Sequence, residues 1–162
     1  MDFTSFFDYP NLPASESREE AVFLPDRSNE DWAKLLTYAE TRRFRAGEVI
    51  IRLGEMDRAL YLVYDGRLDV LIPYGGGPSL RRFTTVGAGS VIGEQAFLDG
   101  KPRSATIRAA SDGELLRLSF EAFELLAARE PELARAFLFD LGRILSLRLR
   151  QTNAFISAWV GS

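Results

Sequence analysis

The chain has 162 residues, 46% of them hydrophobic, and a formal net charge of -3 at pH 7, which is enough chain and apolar content for one domain with a real core. It contains no Cys and no His, which excludes a disulfide framework, thiolate or histidine metal sites, a cysteine nucleophile and a Ser-His-Asp triad. An acidic chain also lacks the overall positive field of a nucleic-acid binder.

Residues 1–27 read as an N-terminal arm. Phe3, Phe6, Phe7 and Tyr9 cluster ahead of Pro10, a polar stretch covers 14–20, and a short apolar island covers 21–24. Aromatic side chains are costly to leave in water, so the arm is expected to dock on its own domain. Its start is acidic and carries no basic region of the kind that opens a signal peptide. No stretch of the chain approaches the roughly 18 apolar residues of a membrane span, and a cytoplasmic protein is expected.

The domain proper is expected over 28–162. Ser28 can cap a helix, with Glu30 and Asp31 at the positive end of its dipole, and Trp32, Leu35, Leu36 and Ala39 fall on one apolar stripe. From about 42 to 118 the period changes to short β-rich runs at 48–52, 60–64, 68–72, 80–86, 105–109 and 115–118, separated by glycine-marked turns. Such runs predict a mainly β domain, a jelly roll, sandwich or barrel with flanking helices. Asp65-Gly66 between two apolar runs is a hairpin signal. Helical spacing returns at about 119–158. Ser119 caps a helix through 128, and Pro131 fits the first turn of a long one from 132 to about 158. Leu133, Phe137, Leu138, Leu141, Ile144, Leu145, Leu149, Ile156 and Trp159 occupy more than one face of it. That breadth points to two partners, the β-roll on one side and a second subunit on the other.

The chemistry is concentrated at 93–105. Gly-Glu occurs four times, at Gly47, Gly54, Gly93 and Gly113, and alone signals nothing. Only the third is followed by a short helix-compatible stretch, a turn and Pro102-Arg103-Ser104-Ala105. Gly93 lets the backbone approach a ligand closely. A helical turn over 94–98 leaves unpaired amides at its start, which suit a phosphate. Arg103 can offer a planar fork to the same phosphate. Glu94, acceptor-only when ionised, can accept a hydrogen bond from a sugar hydroxyl. A carboxylate beside a phosphate makes sense when the ligand presents a phosphate on one side and a ribose hydroxyl on the other. The plainer reading, with Glu94 and Arg103 paired to each other across a turn, explains neither Gly93 and Ala96 nor the Pro-Arg-Ser-Ala-Thr run.

Ile92-Gly93-Glu94-Gln95-Ala96-Phe97 followed by Pro102-Arg103-Ser104-Ala105 resembles the phosphate-binding cassette of the cyclic nucleotide-binding domain family. The bacterial catabolite activator protein, protein kinase regulatory subunits and nucleotide-gated channels share that domain. Gly47-Glu48, Gly54, Leu60-Tyr61 and Gly66 match turn positions of the same family, and the resemblance covers about 35–150. It implies that Glu94 accepts from the ribose 2′-OH and Arg103 neutralises the cyclic phosphate. The amides of Gln95 and Ala96, with Ser104 and Ala105, complete the cradle. It implies that the long helix supplies a lid or a dimer contact, with Arg148, Thr152 and Asn153 as polar candidates. Two positions depart from the pattern. Gln95 stands where an aliphatic residue is common, and Phe97 stands where Leu is usual and can reshape the base pocket. Ser104 resembles the bacterial cyclic AMP binders, though it also suits cyclic GMP.

The expected function is a non-enzymatic sensor that binds a cyclic nucleotide, cyclic AMP ahead of cyclic GMP, and signals through its last helix to a dimer mate or an unknown effector protein. No metal and no cofactor beyond that ligand are expected. A competing reading keeps the fold as a protein-interaction module without a ligand. The sequence given stops at Ser162, so no helix-turn-helix and no direct DNA contact are expected. A metal-dependent jelly-roll enzyme would need the histidines the chain lacks.

Overall fold

A computed structural model of the protein describes residues 22–160. Phe3, Phe6, Phe7, Tyr9 and the polar stretch at 14–20 lie outside the described residues, as does the side chain of Trp159. The end of the apolar island is described, and it belongs to the core. Phe23 is 1% exposed and Leu24 is 4% exposed, and the Phe23 ring meets Phe137 edge-on at 4.9 Å.

Helix α1 (Asn29–Leu36) begins where the capping residue predicts, with the Ser28 hydroxyl accepting from the Asp31 amide at 3.1 Å. It buries Trp32 and Leu35. Eight strands follow in the described chain: β1 (Glu40–Phe44), β2 (Val49–Ile51), β3 (Leu60–Asp65), β4 (Arg67–Pro73), β5 (Leu80–Gly87), β6 (Val91–Ile92), β7 (Thr106–Ala109) and β8 (Gly113–Leu118), with the short helix α2 (Glu94–Asp99) between β6 and β7. They form two antiparallel four-stranded sheets in the orders β1-β8-β3-β6 and β2-β7-β4-β5. The two sheets face each other across a sandwich core that includes Phe44, Ile50, Tyr61, Val63, Leu68, Ile107 and Leu115. The expected mainly β jelly roll is thus present, as a sandwich of two sheets.

Burial explains which strands the sequence displays. In β3, Tyr61 and Val63 face the sandwich, while Leu60 and Leu62 face the helices. A strand covered on both sides reads as a continuous apolar run. Strand β5 is the uncovered extreme, exposed from Leu80 through Thr85 and hydrogen-bonded only to β4. The β3–β4 hairpin turns at Gly66, whose φ is +90°; a Cβ there would stand 2.6 Å from the Asp112 carbonyl oxygen, so the position requires glycine.

Two C-terminal helices cover the outer face of the first sheet. Helix α3 (Phe120–Arg129) is capped by Ser119, whose hydroxyl accepts from the Ala122 amide at 3.1 Å. Helix α4 (Pro131–Val160) opens on Pro131 and is 30 residues long. Its inner residues Leu133, Phe137, Leu141 and Ile144 join Phe23, Trp32, Leu62, Phe97, Phe123 and Leu126 in a second core. Each such side chain withdrawn from water contributes about 1.5–3 kcal/mol. Leu138, Leu149 and Ile156 remain 42%, 62% and 52% exposed.

Candidate functional site

The turn from β6 into α2 is built around Gly93. Its φ of +77° admits glycine with little strain, and a Cβ on it would stand 2.5 Å from an Arg103 guanidinium nitrogen. The first amide to bond back into the helix is that of Phe97, which donates to the Gly93 carbonyl at 3.2 Å. The amides of Gln95 and Ala96 precede it, at the end of the helix where backbone donors have no intrahelical partner. Gly100 closes the helix with φ +68° and donates to the Ala96 carbonyl.

Arg103 is 3% exposed. One guanidinium nitrogen donates to the Gly93 carbonyl at 3.1 Å. The other donates to the Asp57 carboxylate at 2.8 Å and to the Ala59 carbonyl at 2.7 Å. Asp57 is shared with Arg117, 3.5 Å away. The backbone of Arg103 is tied to the same β2–β3 loop, its amide donating to the Glu55 carbonyl and its carbonyl accepting from the Gly54 amide. A buried guanidinium needs such partners, since an unpaired one carries a heavy desolvation cost.

Glu94 is 8% exposed. Its carboxylate pairs with Arg148 of α4 at 2.5 Å, and Arg148 also donates to the Val91 carbonyl at 2.5 Å. Glu94 and Arg103 therefore do not pair with each other; each has its own partner. Ser104 and Gln95 are exposed, Ala96 is buried and Ala105 half-buried. Of the residues expected to reach the base, Thr152 is half-buried and donates its hydroxyl to the Arg148 carbonyl at 2.9 Å, and Asn153 is exposed. Phe97 is 0% exposed, sealed among Phe120, Phe123 and Phe137. In this conformation it offers no surface to a ligand and acts as the apolar anchor of α2.

Sequence reasoning missed Asp57, Arg58 and Arg117. Asp57 and Arg58 lie in the loop before the apolar run of β3 and carry no motif of their own; their importance appears only when the loop folds over 93–103. A cleft of about 520 Å³ lies elsewhere, lined by Arg43, Glu48, Asp65, Asp112 and Glu114 among others. It sits at the Asp65 end of β3, whereas the cassette sits at the Leu60 end. Several of its charges are engaged with one another or with backbone, as in Arg43–Glu114 and in Asp112 with the Ala46 amide.

Comparison with known proteins agrees with this fold. The model of the cyclic nucleotide-binding domain family matches residues 41–130. The cyclic AMP receptor protein of Thermus thermophilus is 34% identical over 118 residues, covering 73% of this chain and 52% of that protein. A cyclic nucleotide-gated potassium channel of Rhizobium etli is 37% identical over 89 residues, covering 55% of this chain and 23% of the channel. The chain thus spans about half of the first relative and less than a quarter of the second. The crystal structure of a cyclic nucleotide-binding domain from Methylobacillus flagellatus superposes with a TM-score of 0.77 at 27% identity, covering 88% of this chain and 80% of that one. Among the described residues no helix is long and apolar enough to cross a membrane.

Proposed function

The chain belongs to the cyclic nucleotide-binding domain family, and from that premise we propose that it is a non-enzymatic sensor whose ligand is a cyclic nucleotide held at 93–105. The observation that carries this reading is the convergence at one turn of Arg103, Glu94 and the first-turn amides of Gln95 and Ala96. Arg103 meets the phosphate, the two amides and Ser104 with Ala105 complete its cradle, and Glu94 accepts from the ribose hydroxyl. Cyclic AMP is favoured over cyclic GMP on the identity of Ser104.

The output runs through α4. Its residue Arg148 holds Glu94, the group assigned to the ribose, so ligand binding and the position of α4 draw on the same carboxylate. A ligand that interacts differently with the two positions of α4 shifts their populations. The outward residues Leu138, Leu149 and Ile156 supply the contact to a dimer mate, and the effector protein reads the result.

A second reading has its own support. Both charged cassette groups are already satisfied inside the protein, Arg103 by Asp57 and Glu94 by Arg148, as a ligand-free interaction module requires.

Calorimetric titration of cyclic AMP and cyclic GMP into the protein and its Arg103→Glu variant separates the two. Binding at about micromolar dissociation constant, roughly 8 kcal/mol, lost in a variant whose circular dichroism is unchanged, supports the sensor. Absence of binding by the unaltered protein favours the module. Because Arg103 is buried, Glu94→Gln serves as the second variant: it keeps the shape and removes the charge that pairs with Arg148.

A further inference from the structure

Arg58 stands next to Asp57, the partner of Arg103, but does different work. Its guanidinium donates to the Phe97 carbonyl at 2.9 Å and to the Leu98 carbonyl at 3.1 Å. These belong to the last turn of α2, where carbonyls lack intrahelical partners and the helix dipole is negative. The central carbon of the same guanidinium lies over the Phe120 ring, 3.5 Å from its centroid. Phe120 is the first residue of α3. One planar cation thus touches the far end of the cassette helix and the near end of the helix that leads to α4.

We propose that Arg58 is a positioning residue that fixes the tilt of the cassette helix and carries its movement to α3. The inference rests on the sensor reading above and adds to it the route out of the site. A phosphate drawn onto the amides of Gln95 and Ala96 pulls α2 along its axis. The Phe97 ring is packed on α3 and α4 and resists that pull as an apolar plug. Arg58 offers the polar link, because its two hydrogen bonds hold carbonyls of α2 while its face holds the ring of Phe120. Residues 57–59 then frame the cassette from one short segment: Asp57 and the Ala59 carbonyl hold Arg103, and Arg58 holds α2.

Only a planar guanidinium can donate twice in a fork and stack at the same time. Lysine keeps the charge but loses the stacked plane. The expected order of cyclic nucleotide affinity is therefore wild type, then Arg58→Lys, then Arg58→Ala. The alanine variant should bind about ten-fold more weakly, as for loss of charged hydrogen bonds. A purely structural residue would lower thermal stability and leave the pattern of response intact. The discriminating readout is hydrogen exchange of the α3 amides with and without saturating nucleotide. In the unaltered protein, nucleotide changes exchange in α3; in Arg58→Ala, at saturation, α2 still responds and α3 no longer does. Phe120→Leu, which keeps the two hydrogen bonds and removes the ring, should lose the α3 response with less loss of affinity. If Arg58→Ala binds as tightly as wild type and α3 responds as before, the inference is wrong and the sensor reading stands. If the unaltered protein binds neither cyclic AMP nor cyclic GMP, the sensor reading fails and takes this inference with it.

Discussion

The Arg148 guanidinium lies 2.5 Å from the Glu94 carboxylate, joining the second half of the last helix to the first residue of the cassette helix. The pair is largely sheltered, with side-chain exposures of 29% and 10%. A ribose hydroxyl that donates to Glu94 must share or displace Arg148. In Arg148→Ala the carboxylate is left sheltered with one partner fewer, a costly state that a ligand hydroxyl relieves. Cyclic nucleotide affinity is expected to rise about five-fold, equivalent to roughly 1 kcal/mol. Exchange of the α4 amides beyond 145 should rise in the absence of ligand. Weaker binding in this variant would assign the Arg148 guanidinium to the ligand itself and end the competition account.

Gly93 permits a sharper test. At φ +77° an alanine is strained, and its Cβ would press on the Arg103 guanidinium at 2.5 Å and the Ala59 carbonyl at 3.0 Å. The guanidinium cannot retreat without giving up Asp57 or Ala59. Gly93→Ala should lower unfolding free energy by about 1–3 kcal/mol and weaken nucleotide binding with it, since the turn that aims the amides is the turn that is strained. Urea unfolding monitored by Trp fluorescence measures the first quantity and calorimetry the second. Unchanged stability would mean that the turn relaxes freely and that glycine is not required there.

Much of this architecture was legible in the sequence for local reasons. Ser28 and Ser119 are caps that act through their own hydroxyls, and the apolar runs of β3 and β4 announce strands because burial fixes their composition. Strands β1 and β6 were not legible. The run Glu40–Phe44 is held only at its β8 side and buries Phe44 alone, and β6 is two residues long, so neither shows a period. The cassette motif located Glu94 and Arg103 but not their partners. Asp57 and Arg148 are separated from them by 46 and 54 positions, and charge pairing across such distances leaves no spacing signal. Phe97, standing where Leu is usual, suggests from the sequence a reshaped base pocket. Its burial among Phe120, Phe123 and Phe137 follows from α2 packing its other face on α3 and α4, which a six-residue segment cannot reveal.

The outward face of α4 leads to a prediction about assembly. Leu138, Gly142, Leu145, Leu149, Thr152 and Ile156 follow one another at alternating intervals of four and three residues, the spacing of a two-helix seam. Leu149 is 62% exposed and Ile156 52% exposed, so no described residue covers either side chain. Leu149→Glu should convert a dimer to a monomer in sedimentation velocity at about micromolar protein, because a carboxylate in such a seam has no partner to offset its desolvation. Stability of the separate domain should change by less than about 0.5 kcal/mol, as for an exposed position. A wild-type monomer at that concentration would remove the seam as a self-association surface and leave it to another partner.

The response to pH has two parts with different origins. The chain has no His and a phosphodiester is ionised throughout the physiological range, so nucleotide affinity should stay flat between about pH 6 and 8. Stability should fall at lower pH, and Glu48 is one cause. The Arg42 guanidinium, donating to it at 2.8 Å, and then the Arg45 amide hold its carboxyl below the usual carboxylate range. A depressed folded-state value means that its contribution is present above the unfolded-state value, about pH 4.3, and is lost as pH falls through the folded-state value. Glu48→Gln should therefore be less stable than wild type at pH 7, and the two should converge as the pH drops toward 3. Urea unfolding at pH 7, 5 and 3 gives the comparison. A difference that persists undiminished at pH 3 would mean that the side chain contributes through shape or neutral hydrogen bonding and that its charge contributes nothing.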